Sequence, residues 1–113
     1  MYKFEKLIVW QKSLFLIKEI YKETEKLNDF VIKDQVRRAV TSIAINIAEG
    51  SGSEGDKEFK RYLFIAIKSL FETLACLKIL HFMNDKDYTE TEKNIDEVGK
   101  LLNGLINKVK SDI

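Results

Sequence analysis

The chain has 113 residues with five glycines, no proline and one cysteine, and its 19 basic side chains nearly cancel 18 acidic ones to leave a formal net charge of +1. One domain spanning residues 1–113 is the natural size reading; an apolar share of 45% excludes disorder, and the near-neutral balance excludes a polyanion binder that works by bulk charge. No apolar run approaches the roughly 20 residues that span a bilayer, and the single Cys76 has no second cysteine to pair with, so a soluble chain in a reducing cytoplasm is expected.

From the N-terminus, Leu7, Trp10, Leu14, Ile17, Tyr21 and Leu27 recur at steps of three and four. That period predicts a helix over about 5–27 with this seam toward the core, and Lys18, Glu19, Lys22, Glu23 and Lys26 on a solvated face. Lysines interrupting the apolar stretch argue against an export signal. Asn28 and Asp29 suit a cap. Ile32, Val36, Val40, Ile43 and Ile47 then predict a second helix, over about 31–49, that stops near Gly50.

The next stretch, Gly50-x-Gly52-x-x-Gly55, has the glycine spacing of a dinucleotide-binding loop. Such loops follow a buried strand inside a βαβ unit, whereas the segment before this one has a helical period. As a P-loop it fails by sign, because Asp56 takes the lysine's place and Lys57 the hydroxyl's. The residues predict a corner instead: Gly50 as a left-handed C-cap, Gly52 and Gly55 as a flexible crossing, and Ser51-x-x-Glu54 or Ser53-x-x-Asp56 as a cap for the next helix.

Phe59, Leu63, Ala66, Leu70, Leu74 and Leu77 predict the longest helix, over about 55–82. After "MNDKDY", a capping-box pattern at Thr89-x-x-Glu92 and the series Ile95, Val98, Leu102, Leu105 and Val109 predict a fourth, over about 90–110. Four apolar stripes with short links and no strand-like alternation predict an all-α, antiparallel up-and-down four-helix bundle.

Two polar stripes are the candidates for function. At about 100° per residue, Gln35, Arg38, Ser42, Asn46 and Glu49 fall on one line of the second helix, with Ala44 and Ala48 on the other flank. The line reads either as a buried hydrogen-bonded network or as an exposed anion or acid–base site. The network is expected, since no histidine, nucleophilic cysteine or second carboxylate joins the line. On the third helix, Lys57, Lys60, Arg61, Lys68 and Lys78 share a sector of about 100° with Phe64 and Phe71. Cations interleaved with aromatic rings suit single-stranded nucleic acid; two outward phenylalanines also suit contact with a second subunit. Both readings stay open.

Catalysis has little to work with. His81 has only Asp85 one turn on, which is at most two ligands, and Cys76 sits in the helical "LACLKIL", so no metal site, cofactor, catalytic residue or small-molecule substrate is expected.

These segments resemble the family of four-helix bundle proteins also called 23S rRNA intervening-sequence proteins. The likeness rests on "LIVWQKS", on "QVRRAVTSIAINIAEGSG" and on "EFKRYLFIAIKSLFE", with the fourth helix matching in pattern only. It implies antiparallel bundles that assemble as ring-like homopentamers and have no established activity. Through a related group, the accessory subunits of reverse transcriptases in diversity-generating retroelements, it also implies association with a reverse transcriptase and with RNA or DNA through basic surfaces. It carries over Gln35, Arg37, Arg38, Ser42, Asn46, Glu49 and Gly50 as the family signature, without a catalytic role for any of them. The chain departs from the pattern in two ways. It lacks the proline usual between helices one and two, where it has "LNDFVIK", which implies a looser connection or a longer first helix; and its 18 acids weigh against strong polyanion binding.

Overall fold

The computed structural model describes residues 1–109. A short 3-10 turn, Lys3–Lys6, leads into four helices: α1 (Ile8–Glu23), α2 (Phe30–Ser51), α3 (Gly55–Asn84) and α4 (Thr89–Lys108). The last residue of the predicted fourth helix, 110, lies outside the described residues.

Helix α1 packs on α2 and α4, and α3 packs on α2 and α4, so the helices form a ring in chain order around one core. Neighbours run in opposite directions. Along α2, Gln35 meets Glu72, Ser42 meets Ser69 and Gly50 abuts Phe59, so rising numbers on one helix face falling numbers on the next. Lys12 with Glu97 and Glu19 with Asn94 give α1 and α4 the same relation. The 30 residues of α3, at 1.5 Å each, span about 45 Å, which matches the molecule's long dimension of 45 Å.

Val36, Val40, Ile43 and Ile47 on α2, Phe59, Leu63, Ala66, Leu70 and Leu77 on α3, and Ile95, Val98 and Leu102 on α4 are buried as their periods predict. Helix α1 is rotated from its predicted phase. Its buried line is Val9, Ser13, Leu16 and Ile20, while Leu14 and Tyr21 are exposed. The helix is apolar nearly all round, and the chosen phase admits hydroxyls to the core because Ser13 donates to the Trp10 carbonyl at 2.6 Å and the flanking Thr24 to that of Ile20 at 2.7 Å. A hydroxyl paired within its own turn costs the core little.

Helix α1 also ends at Glu23, not near 27. Arg37 of α2 reaches across to donate to Thr24 Oγ1 at 3.0 Å and to the Tyr21 carbonyl at 2.9 Å, and its guanidinium lies 4.3 Å from the Tyr21 ring centroid. The α1–α2 connection without proline is therefore tied by a side chain, and is neither loose nor absorbed into a longer helix. Asp29 caps α2 as expected, accepting from the Val31 and Ile32 amides.

At the corner, α2 continues through Gly50 to Ser51, and Gly50 is helical and buried. A Cβ there would lie 2.7 Å from Tyr62 Cβ and 3.0 Å from Phe59 Cδ1, so the glycine serves close approach of α3 and not a left-handed cap. The positive φ belongs to Gly55, at 81°. Ser51 and Ser53 donate back to the carbonyls of Ala48 and Gly50, and neither caps α3, whose N-cap residue Glu54 makes no side-chain capping bond. Likewise Thr89 and Glu92 form no capping box. Asp87 accepts from the Thr89 amide and hydroxyl, and Glu92 pairs with Lys78.

Candidate nucleic-acid interface

The face of α3 that points away from the core carries a line of rings. Phe64, Phe71 and Phe82 lie within about 20° of one another on the helical wheel, and their exposures of 49%, 63% and 88% make them the outermost side chains of that line. Lys57, Lys60, Arg61, Lys68 and Lys78 flank it on both sides, and no carboxylate of α3 falls nearer to it than about 60°. Phe82 did not enter the sequence reading because it stood at the predicted helix end. Its spacing of eleven residues from Phe71, three turns, was the available signal.

The five cations differ in how far they are neutralised. Arg61 donates from Nε and a terminal nitrogen to the two Glu58 oxygens, each at 3.1 Å, and lies 4.8 Å from the Tyr62 ring centroid. That hydrogen bond holds the Glu58 carboxyl below its usual range and raises the Arg61 guanidinium. Lys78 reaches α4, with Nζ 2.8 Å from Glu92 Oε1. Lys57, Lys60 and Lys68 make no ion pair among the described residues. The free charge of the face therefore rests on three lysines.

The polar line of α2 divides in two. Ser42 shares a 2.8 Å hydrogen bond with Ser69 of α3, and Asn46 Nδ2 donates to the Ser42 carbonyl at 2.8 Å and hydroxyl at 2.9 Å. Gln35 donates to Glu72 at 2.9 Å. Gln35 and Ser42 thus stitch α2 to α3, and Asn46 braces Ser42 within α2. Gln35 is itself exposed, so the expected buried network is confined to the half-buried Ser42 and Asn46; Arg38 and Glu49 also stand exposed and make no bond to α3 among the described residues, Arg38 pairing with Asp34 one turn back at 2.8 Å. The difference follows from the wheel, since both point past α3 into solvent. Ser69, the partner that completes the seam, was missed because nothing in the sequence of α3 announces which turn faces Ser42.

His81 is exposed, with Nδ1 2.8 Å from the Lys86 carbonyl, beside the left-handed Asp85 that ends α3. Cys76 is buried, and burial, with a smaller contribution from the Glu72 charge, raises its thiol pKa away from nucleophilic use. Among the described residues no group of three or more His, Cys, Asp or Glu side chains is placed to hold a metal ion, and no helix is long and apolar enough to cross a membrane.

The chain matches the 23S rRNA-intervening sequence protein family over residues 5–104. Among solved structures it is similar to a protein of unknown function from the S23 ribosomal protein family of Bacteroides thetaiotaomicron VPI-5482. The two share 26% identity and a TM-score of 0.75 over 92% of this chain and 100% of the other. Among curated proteins none is similar enough to count as a match.

Proposed function

This chain belongs to the 23S rRNA-intervening sequence protein family, and from that premise we propose that it is a non-enzymatic, cytoplasmic, homo-oligomeric bundle that associates with nucleic acid, or with a nucleic-acid-handling protein, through the outer face of α3. The observation that carries this reading is the carboxylate-free sector in which Lys57, Lys60 and Lys68 stand unpaired beside exposed rings. Phosphates attracted there release counterions, and copies of the chain in one particle multiply the effect. The homopentamer and the reverse transcriptase implied by the resemblance belong to this proposal as stoichiometry and partner.

Three free lysines per protomer set the expected salt response. Log affinity for a single strand should fall with log salt at a slope of about −2 per protomer engaged. Reversing all three to Glu should lower the affinity for RNA or DNA by at least about tenfold and leave assembly intact. Unchanged affinity in that variant defeats the reading.

A second reading is favoured by Phe64 and Phe71, which are too exposed for a lone bundle's core. In it the chain is a protein-only scaffold, the two rings are buried between subunits, and the lysines serve solubility. Dissociation of a Phe64→Glu, Phe71→Glu variant to monomers, with no nucleic-acid binding by the wild type, is its signature.

A further inference from the structure

Resting on the nucleic-acid reading above, we infer that the outer face of α3 is a track for single-stranded nucleic acid, in which the phenylalanine line stacks on unpaired bases while the flanking lysines hold phosphates. The rings settle the form of the polymer. Phe64, Phe71 and Phe82 project outward from a convex helix face with no hydroxyl or amide to read a base edge. Beside a duplex, whose base faces are hidden in the stack, such rings meet only backbone and hydrated groove and stay wet. Beside a single strand each ring finds an exposed base face, a contact that tolerates any sequence.

The spacing suits this use. Phe64 and Phe71 stand about 10 Å apart along the axis and Phe71 and Phe82 about 16 Å, or about three and five stacked nucleotides at 3.4 Å each. From Lys57 to Phe82 the track is about 38 Å long, room for about eleven stacked nucleotides.

Charge argues against a second copy as the occupant. Two such faces meeting each other would bring lysine rows together. None of the well-exposed large apolar side chains lies on α4, where Glu90, Asp96 and Glu97 supply exposed acid. Of the other exposed apolar side chains, Leu14, Tyr21 and Ile45 lie beside Lys18, Lys22 and Arg37 as well as Asp34, and Phe15 lies beside Lys12, Glu19 and Glu97 in the groove between α1 and α4. The lysine rows therefore oppose a face-to-face pairing of two copies through α3, whereas a nucleic-acid strand is both stacked and anionic.

The test compares a labelled oligothymidylate of about 15 nucleotides with its A·T duplex of the same length, at one salt concentration, by fluorescence anisotropy, with assembly followed by sedimentation. Wild type should prefer the single strand by at least about tenfold. Phe82→Leu, at the most exposed ring, should weaken single-strand binding by at least about fivefold, and Phe64→Leu with Phe71→Leu by more. Duplex binding and assembly should not move, because leucine keeps the helix and the apolar bulk. Equal affinity for strand and duplex, or indifference to the leucine variants, overturns the track and leaves the lysine face standing. Failure to bind either polymer, or binding that ignores the Lys→Glu variant, removes the reading beneath it as well. A changed particle size in the leucine variants gives the line to a second copy and also overturns the track.

Discussion

Adding one methyl group at Gly50 would set a carbon 2.7 Å from Tyr62 Cβ and 3.3 Å from the Phe59 carbonyl oxygen, where neither helix has a flexible end to yield. Alanine normally improves a helix by about 1 kcal/mol over glycine, yet here the forced separation of α2 from α3 outweighs it. Gly50→Ala should lose about 1–3 kcal/mol net, read from the denaturant midpoint at fixed protein concentration. Gly104 is the control: it is helical and exposed with nothing within 4 Å of its missing Cβ, so Gly104→Ala should gain about 0.5–1 kcal/mol. A destabilised Gly104→Ala or a neutral Gly50→Ala contradicts the close-approach account. Tyr88 offers a second check, because the residue is 2% exposed and its hydroxyl has no hydrogen-bond partner among the described residues. Tyr88→Phe should be at least as stable as the wild type, with a gain of up to about 1–2 kcal/mol; a clear loss would mean that the hydroxyl is satisfied. None of this was legible in the sequence. A glycine near a predicted helix end reads locally as a cap, and only the partner helix, Phe59 and Tyr62, reveals why no side chain fits.

The helices themselves were legible in proportion to how one-sided they are. Helix α4 has no large, well-exposed apolar side chain, and in α2 those exposed are Phe30 and Val31 at its start and Ile45, so the phase of both helices follows from period. Helix α1 offers Ile8, Leu14, Phe15 and Tyr21 outside its true seam, and two phases fit the same pattern. The buried Ser13 decided between them, and a serine in a core position is the residue a hydropathy pattern rejects. Ends were harder, since a side chain from a neighbouring element or an adjacent turn supplied the bond that sequence assigned elsewhere. Arg37 finishes the α1–α2 connection, and Arg37→Ala should cost about 1–3 kcal/mol by leaving Thr24 and the Tyr21 carbonyl without their donor. Asp87 starts α4. Its carboxyl is held below the ordinary range by the Thr89 hydroxyl and amide, so the stability it contributes is present above the unfolded carboxylate value and is lost as pH falls through the lower folded value. The difference in Tm between wild type and Asp87→Ala should therefore be constant from neutral pH down to about pH 4 and shrink below it. A difference that grows on acidification contradicts the capping assignment.

For the whole particle, the proposed contacts obey opposite salt laws. Assembly, if it hides Leu14, Tyr21, Ile45 and the apolar side chains left exposed at Phe30 and Val31, is driven by removal of greasy surface from water, which added salt does not weaken and kosmotropic salt strengthens. Nucleic-acid binding through Lys57, Lys60 and Lys68 is driven by counterion release, which added salt reverses. With a net charge of only +1, no bulk attraction blurs the two. Raising sodium chloride from about 0.05 to 0.5 M should strip a bound oligonucleotide by about a hundredfold in affinity per protomer engaged, while sedimentation reports an unchanged oligomer throughout. Loss of the oligomer in step with the oligonucleotide would mean that charge, through pairs such as Arg38 with a neighbour's carboxylate, holds the particle together, and the division of labour between faces would fail. A particle that sediments as a monomer at high concentration in either salt would remove the oligomer from the proposal altogether and leave the exposed rings of α3 to a nucleic-acid strand or to the protein that handles it.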